Sequence, residues 1–416
     1  MKRYFSPLLG LSVFSLACGY LMTLIPLRLN NAMGDDVLVG YMGGVYYLGL
    51  LAGSFRTERT VTRVGHIRSF AAFMALLCSS VLSLAVFDAV AAWFFLRFLN
   101  GLAVAGIFVV VESWLLCESD EKDRGRVLAF YMVALYGSNA LGQLFVGVLD
   151  STSYLPFFVV GILFSLSILP PALTRIPSPE LSNNSSINLI KLFKLTPSAM
   201  IGCLAAGMVL GALYSLLPVQ LMSGGSEEGT LGLKLGITMF GGMLLQYPVG
   251  QYSDSVDRRK VLVAISLAGC LGSLLYVVWP AQGWFHMLLL FLIGGTTFTL
   301  YPLAISHGCD HLKREDIIAG TQGLLLGYSS GSCIGPVIAG YFLRGHENGL
   351  MIYFAIIMGL TGLFFLVRIP RRPAIYSSDN QPFVPVPTTT PVVTQIDPRN
   401  GEMNENEIDP KNQTVV

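Results

Sequence analysis

Twelve stretches of about 20 apolar residues leave this chain few ways to fold. They fall at about 7–29, 37–55, 69–87, 90–113, 127–149, 156–173, 198–221, 232–251, 261–279, 284–305, 318–343 and 350–367. A helix rises about 1.5 Å per residue, so each run can cross a hydrocarbon layer roughly 30 Å thick. Lipid offers no hydrogen bonds, and a helix satisfies its backbone within its own segment. The pattern predicts an all-α integral membrane protein with twelve transmembrane helices. Composition agrees: 53% of the 416 residues are hydrophobic and 12% charged, against about 25% charged in an ordinary soluble domain. The first run is too long for a signal-peptide core and no A-x-A-like cleavage site follows it, so it is expected to stay as a helix.

Charge matters here by position, because the net charge is only +1. That balance gives no reason to expect nucleic acid as a partner. If the start "MKR" is cytoplasmic, all but four of the 26 Lys and Arg residues lie in cytoplasmic segments; the exceptions are Arg28, Lys234 and Arg344 outside and Arg97 within a run. The positive-inside rule then places both termini in the cytoplasm, which an even number of spans requires. The seven cysteines lie mostly inside apolar runs at spacings that match neither a metal site nor a disulfide framework, and no metal or cofactor is expected.

The longest interior hydrophilic stretch, 175–197, has six runs on each side. It divides the chain into a six-helix half over 1–174, a cytoplasmic linker and a second half over 198–370. Sliding the sequence by 193 positions superposes Gly101 on Gly294, Gly142 on Gly335 and Gly147 on Gly340, the mark of an internal repeat. The tail over 371–416 is rich in Pro, Thr and Asn and is expected to be disordered and cytoplasmic.

Between the eighth and ninth runs stands "GQYSDSVDRRKVL", with Gly250, Asp254, Arg258, Arg259 and Lys260. It resembles the cytoplasmic motif of the major facilitator superfamily, with Ser255 where a basic residue is common and Asp257 where Gly is usual. The joint between the second and third runs keeps Arg63, Gly65 and Arg68 but has Thr62 in the acidic place. "RFLNG" in the fourth run resembles the Arg-x-x-x-Gly motif through Arg97 and Gly101, and "RGRVLAFYM" with Arg124 follows the next loop. "GSCIGPVIAG" in the eleventh run, with Gly335, Pro336 and Gly340, resembles the fifth-helix motif associated with antiporters; the fifth run has Gln143 in the proline place. "VVVESWLLCESDEKDRGRVLAFYM" and "FTLYPLAISH" together resemble the YcaD-like branch.

The resemblance implies a carrier of two six-helix halves that moves a small organic solute by alternating access. It implies proton coupling, with facilitated diffusion as the alternative because deep carboxylates are scarce, and efflux as the preferred direction; a bacterial inner-membrane location and a monomer are expected. It also implies that Asp254 and the basic cluster latch the cytoplasmic side in one state and release it in another. Topogenic charge around a tight turn would explain the same residues.

Ionisable residues inside the runs are candidates for function because hydrocarbon makes them costly. Arg97 is the deepest, with Asn100 and Gly101 on the same face; a snorkelling anchor is the alternative. Glu112 lies about 22 Å further along the helix, where pairing with Arg63 or Arg124 is expected and a coupling carboxylate is the alternative. Asn139, Gln143, Tyr214, Gln246, Thr296, Thr299 and Gln322 are candidate cavity residues, each weighed against a role as interhelical glue. Gly331, Gly335 and Gly340, with Gly101, Gly142 and Gly147, suit close helix packing, and Pro336 a bend.

Two readings lie outside transport. "GYSSG" at 327–331 fits the G-x-S-x-G pattern of serine hydrolases but lacks a preceding strand. A transporter fold can also serve as a sensor or scaffold. No Walker pattern or H-E-x-x-H occurs, so a gradient is the expected drive and no enzyme activity is expected.

Overall fold

The computed structural model describes residues 2–119, 123–174, 192–193, 195–279, 283–312 and 317–371, together with Phe383, residues 387–390 and Val392. Most of the expected linker and tail lies outside the described residues.

The first half contains α1 (Lys2–Met33), α2 (Asp36–Val64), α3 (His66–Val86), α4 (Val90–Glu118), α5 (Arg124–Met132), α6 (Ser138–Gln143), α7 (Leu155–Ser167) and α8 (Leu169–Ala172). A π-helical turn, Val133–Gly137, joins α5 to α6, so residues 124–143 form one rod. The second half contains α9 (Pro197–Ser223), α10 (Glu228–Ser255), α11 (Arg258–Val278), α12 (Trp284–Cys309), α13 (Ile317–Gly345) and α14 (Gly349–Arg368). Among the described residues ten helices are long and apolar enough to cross a membrane. The fifth and eighth expected spans fall on the 124–143 rod and α10, which are not among those ten.

Helix boundaries follow local chemistry. Asp35 caps α2, its Oδ1 accepting from the Val37 and Leu38 amides, and Gly34 makes the preceding turn at φ +63°. Pro156 and Pro197 sit in the first turns of α7 and α9, where a missing N–H costs nothing. The fifth span ends earlier than the apolar run suggests. After Gln143 the chain leaves the helix, and Gly147 adopts φ +86°. Gly147 is therefore a turn residue, and the expectation that it packs within a helix like Gly340 is corrected: the left-handed backbone there requires a glycine.

The bundle is apolar outside and partly polar inside. Large apolar side chains such as Phe95, Ile162, Leu271 and Leu360 are exposed, while Ser80, Asn100, Glu112, Gln143 and Thr299 are buried. Water would oppose so broad an apolar surface, whereas lipid solvates it.

The internal repeat reappears as matched contacts. A Cβ at Gly101 of α4 would overlap the Tyr46 carbonyl of α2, and one at Gly294 of α12 the Thr238 carbonyl of α10. Gly142 lies in the same way against Leu16 of α1, and Gly335 against Met208 of α9. Each pair is related by the offset of 193 to within a residue. Gly331 packs against Leu204, and Gly40 of α2 against the Pro336 carbonyl, so α13 is seated between α9 and α2.

Candidate functional site

A cavity lies where the two halves meet. Cys18 of α1, Tyr46 and Tyr47 of α2, Phe108 of α4, Tyr136 of the π turn and Asn139 of α6 line it from the first half; Tyr214 of α9 and Tyr328 of α13 line it from the second. Phe298 of α12 stands edge-on to both Tyr136 and Tyr214, at 5.7 and 5.9 Å between ring centroids, and so ties the halves together through aromatic contacts. The π turn carries Tyr136, and the helix beyond it carries Asn139; such turns inside helices are frequent at functional sites.

Arg97 is buried beside this cavity, at 3% exposure. Its guanidinium carbon stands 4.5 Å from the centroid of the Tyr46 ring, a cation–π contact. Its Nε has no hydrogen-bond partner, and no carboxylate among the described residues pairs with it. Among the described residues, the Tyr46 ring is the group that faces the guanidinium. Asn100 donates from Nδ2 to Ser80 of α3 at 2.6 Å, which makes it a link between helices.

Glu112, fully buried near the other end of α4, accepts from the Tyr131 hydroxyl at 2.7 Å. It also accepts from the hydroxyls of Thr389 and Thr390 in the tail. Arg63 and Arg124 form no ion pair with it, which corrects the expected pairing: Arg63 is exposed on the surface and Arg124 keeps an unpartnered Nε. The described tail residues also correct the expectation of a wholly disordered tail, because Phe383, Thr389, Thr390 and Val392 are buried against the bundle. Threonine hydroxyls can enter there because they supply donors that a buried carboxylate needs.

Several other candidates hold helices together. Gln143 donates to the Gly19 carbonyl at 2.7 Å and accepts from Thr23 at 2.6 Å, joining α6 to α1. Thr296 and Thr299 return their hydroxyls to carbonyls of their own helix. Gln246 is buried in α10 and Gln322 half-buried in α13, neither of them lining the cavity. Ser329 of "GYSSG" bonds the Leu325 carbonyl within α13; the segment is mid-helix and lacks the strand-to-helix turn of a nucleophile elbow.

The charged stretch between α10 and α11 forms a compact cluster. Arg258 Nη1 donates to both carboxylate oxygens of Asp310, at 2.9 and 3.0 Å, and Nη2 donates to Asp254 at 2.6 Å. Asp257 caps α11, accepting from the Arg259 amide at 3.0 Å and from its guanidinium at 2.7 Å. This explains an Asp where Gly is usual. Lys260 is exposed. At the corresponding joint Gly65 turns the chain at φ +88°, Thr62 returns its hydroxyl to Arg59, and Arg68 is exposed; no matching ion-pair cluster is present among the described residues.

Burial pushes the Asp257 carboxyl up, but the hydrogen bonds and charge of Arg259 outweigh it and hold the pKa below the ordinary 3.8. A depressed value means that its stabilisation is complete above the unfolded pKa and is lost as pH falls through the folded one. Asp257→Ala should cost about 0.5–2 kcal/mol at pH 7, as for other lost caps. Thermal melts should show the difference from the parent shrinking by pH 3.

Sequence reasoning did not single out Tyr46, Tyr47, Tyr136, Tyr328, Tyr131 or Asp310. The one available signal was the adjacent pair "YY" at 46–47 on the helix facing Arg97.

A lipid-facing bundle of two repeated halves around a cavity at their interface is the architecture of a membrane transport protein. The sequence profile of the Major Facilitator Superfamily matches residues 8–316 and 225–394. The "Uncharacterized MFS-type transporter YcaD" of Salmonella enteritidis is 31% identical over 376 residues, covering 88% of this chain and 97% of that protein. The protein of the same name in Salmonella arizonae is 32% identical with the same coverage. The chain belongs to the major facilitator superfamily and is YcaD-like. Its fold is similar to a mutant of the nucleoside transporter NupG, with a TM-score of 0.73, 14% identity and coverage of 88% and 100% of the two chains. A bacterial homologue of the human lysosomal transporter Spinster, inward-facing and unoccupied, gives 0.68 at 13% identity and coverage of 92% and 97%.

Proposed function

We propose that this protein is a secondary transporter that moves a small, anionic or strongly polar organic solute by alternating access, with Arg97 as the anchor for the negative end. The observation that carries this reading is a buried guanidinium stacked on a cavity-lining tyrosine with no carboxylate partner among the described residues. A bare cation in hydrocarbon is costly, and a solute anion would relieve it. The tyrosine rings and Asn139 suit a planar solute bearing polar substituents. Glu112 and Tyr131 offer a carboxylate and a hydroxyl where a coupled proton could bind, so proton coupling fits the site. The Gly335 and Pro336 motif favours efflux.

The charge distribution favours both termini in the cytoplasm, and the YcaD-type relatives favour a bacterial inner-membrane location; the working unit of this reading is a monomer. On that orientation α2 and α13 meet at the outer end, where Asp35 pairs with Arg344 at 2.9 Å and Tyr41 with Tyr341 at 3.2 Å. The exposed Asp35–Arg344 ion pair is worth roughly 0–1 kcal/mol, weak enough to open in a transport cycle. The Arg258, Asp254 and Asp310 cluster lies at the cytoplasmic end and is the proposed latch.

A thermal-shift screen of small organic acids, run on the parent and on Arg97→Gln, tests the reading. A ligand at 100 times its Kd stabilises by about 2.7 kcal/mol. An acid that stabilises the parent alone supports the anchor role; equal stabilisation of both proteins by every hit counts against it.

A further inference from the structure

The described part of the tail sits where a transporter must be empty. Thr388 and Thr389 line the interface cavity together with Tyr136, Tyr214 and Tyr328. Thr389 and Thr390 each donate to a different oxygen of Glu112, and the Tyr131 hydroxyl lies 3.4 Å from Thr389. Thr390 has no exposed surface. Five residues before Thr388, the Phe383 amide donates to Asp254 Oδ2 at 2.9 Å, and its ring lies so close to Gly250 that a Cβ there would overlap it. Asp254 thus carries Arg258 on one oxygen and the tail on the other.

The sequence suits this placement. Proline stands at 382, 385, 387 and 391. Proline has no N–H to satisfy and opposes helix formation, which suits a sequence to a narrow space. No charged residue occurs between 381 and 394. Thr389 follows Arg368 by 21 positions, and an extended chain of that length spans up to about 70 Å, so the tether does not limit docking. With the tail in place the cavity keeps a free volume of about 80 Å³, well short of the roughly 300–1,000 Å³ of ordinary small-molecule sites.

We infer that the tail segment carrying Phe383 and residues 388–390 is a built-in occupant of the transport cavity that competes with the solute and must leave before each solute can bind. This rests on the carrier reading above. Glu112 recognises the tail through hydroxyl donors, and Phe383 couples its departure to the Asp254 and Arg258 cluster. Tethering sets an effective concentration on the order of mM. A tail docked in nine molecules of ten would weaken apparent solute affinity about tenfold, because only the undocked tenth can bind.

The test needs no identified solute for its first arm. Glu112 in the purified full-length protein is exposed to dicyclohexylcarbodiimide, which adds to carboxyl groups, and its modification is followed by peptide mass spectrometry. The chain ending at Arg371 should be modified at Glu112 at least several-fold faster, and a synthetic peptide of residues 381–394 should restore protection. The full-length variant Thr389→Val with Thr390→Val should also react faster, which serves if the shortened chain does not fold. Equal rates in all proteins would overturn docking. In proteoliposomes, any organic acid found by thermal shift should be carried by the shortened chain with a several-fold lower KM. An unchanged KM alongside faster labelling would overturn the competition. Faster labelling with no flux of any acid by either chain would count against the carrier reading and leave docking in place.

Discussion

Arg97→Gln should insert and fold normally yet lose about a hundredfold in solute affinity, with transport falling accordingly. The substitution removes a charge-assisted contact worth about 1.5–3 kcal/mol, more where the guanidinium fork holds two oxygens; each 1.4 kcal/mol is a factor of ten. Folding should survive because Arg97 forms no ion pair among the described residues, so its loss strands no buried anion. Gln also ends the cost of burying an unpaired cation. Arg97→Lys keeps the charge but loses both the planar fork and the best stacking on Tyr46, so it should keep partial transport. Uptake kinetics with the two variants, alongside size-exclusion profiles in detergent, check this. Normal transport by Arg97→Gln would make the residue a snorkelling anchor, and a misfolded variant would make it a structural element.

Arg258→Gln should destabilise the protein by about 3–5 kcal/mol. Arg258 and Asp310 side chains are 1% and 2% exposed and share two hydrogen bonds. Breaking such a pair leaves a carboxylate in a place that cannot solvate it, and the cost is that of the uncompensated charge. Asp254→Asn should cost far less, since its side chain is 32% exposed. If Asp254 latches the cytoplasmic end, that variant should instead shift the protein toward cytoplasm-open conformations, read by cysteine labelling on the cavity side. Thermal melts of the two variants separate the roles: a large drop for Arg258→Gln and a small one for Asp254→Asn are expected. Comparable drops would mean that the cluster is structural throughout.

The sequence made the bundle legible because a bilayer leaves few options. Apolar length gave ten of the twelve spans among the described residues, and the offset of 193 between Gly101 and Gly294 emerged as the same helix contact made twice. The fifth span was read less well. An apolar run continues past Gln143 and conceals the turn at Gly147, since hydropathy does not register where a helix stops. The site was legible in part. Arg97 stood out because a cation inside an apolar run is rare, whereas the tyrosines around the cavity did not, because Tyr is unremarkable at such positions.

Partners far apart in sequence were the least visible. Asp310 is 52 positions from Arg258, and Thr389 is 277 from Glu112. No periodicity links them. A tail of Pro and Thr reads as chain that cannot build a core of its own. The described residues show a different way to be ordered, by supplying donors to a buried carboxylate that already exists.

The most direct measurement of the central claim is solute counterflow into proteoliposomes that hold the purified protein and are preloaded with an organic acid identified by thermal shift. The parent protein should accumulate labelled acid transiently and saturably, and Arg97→Gln should show no more than empty liposomes do. No counterflow by the parent, or equal counterflow by both proteins, would contradict a carrier that binds its solute through Arg97.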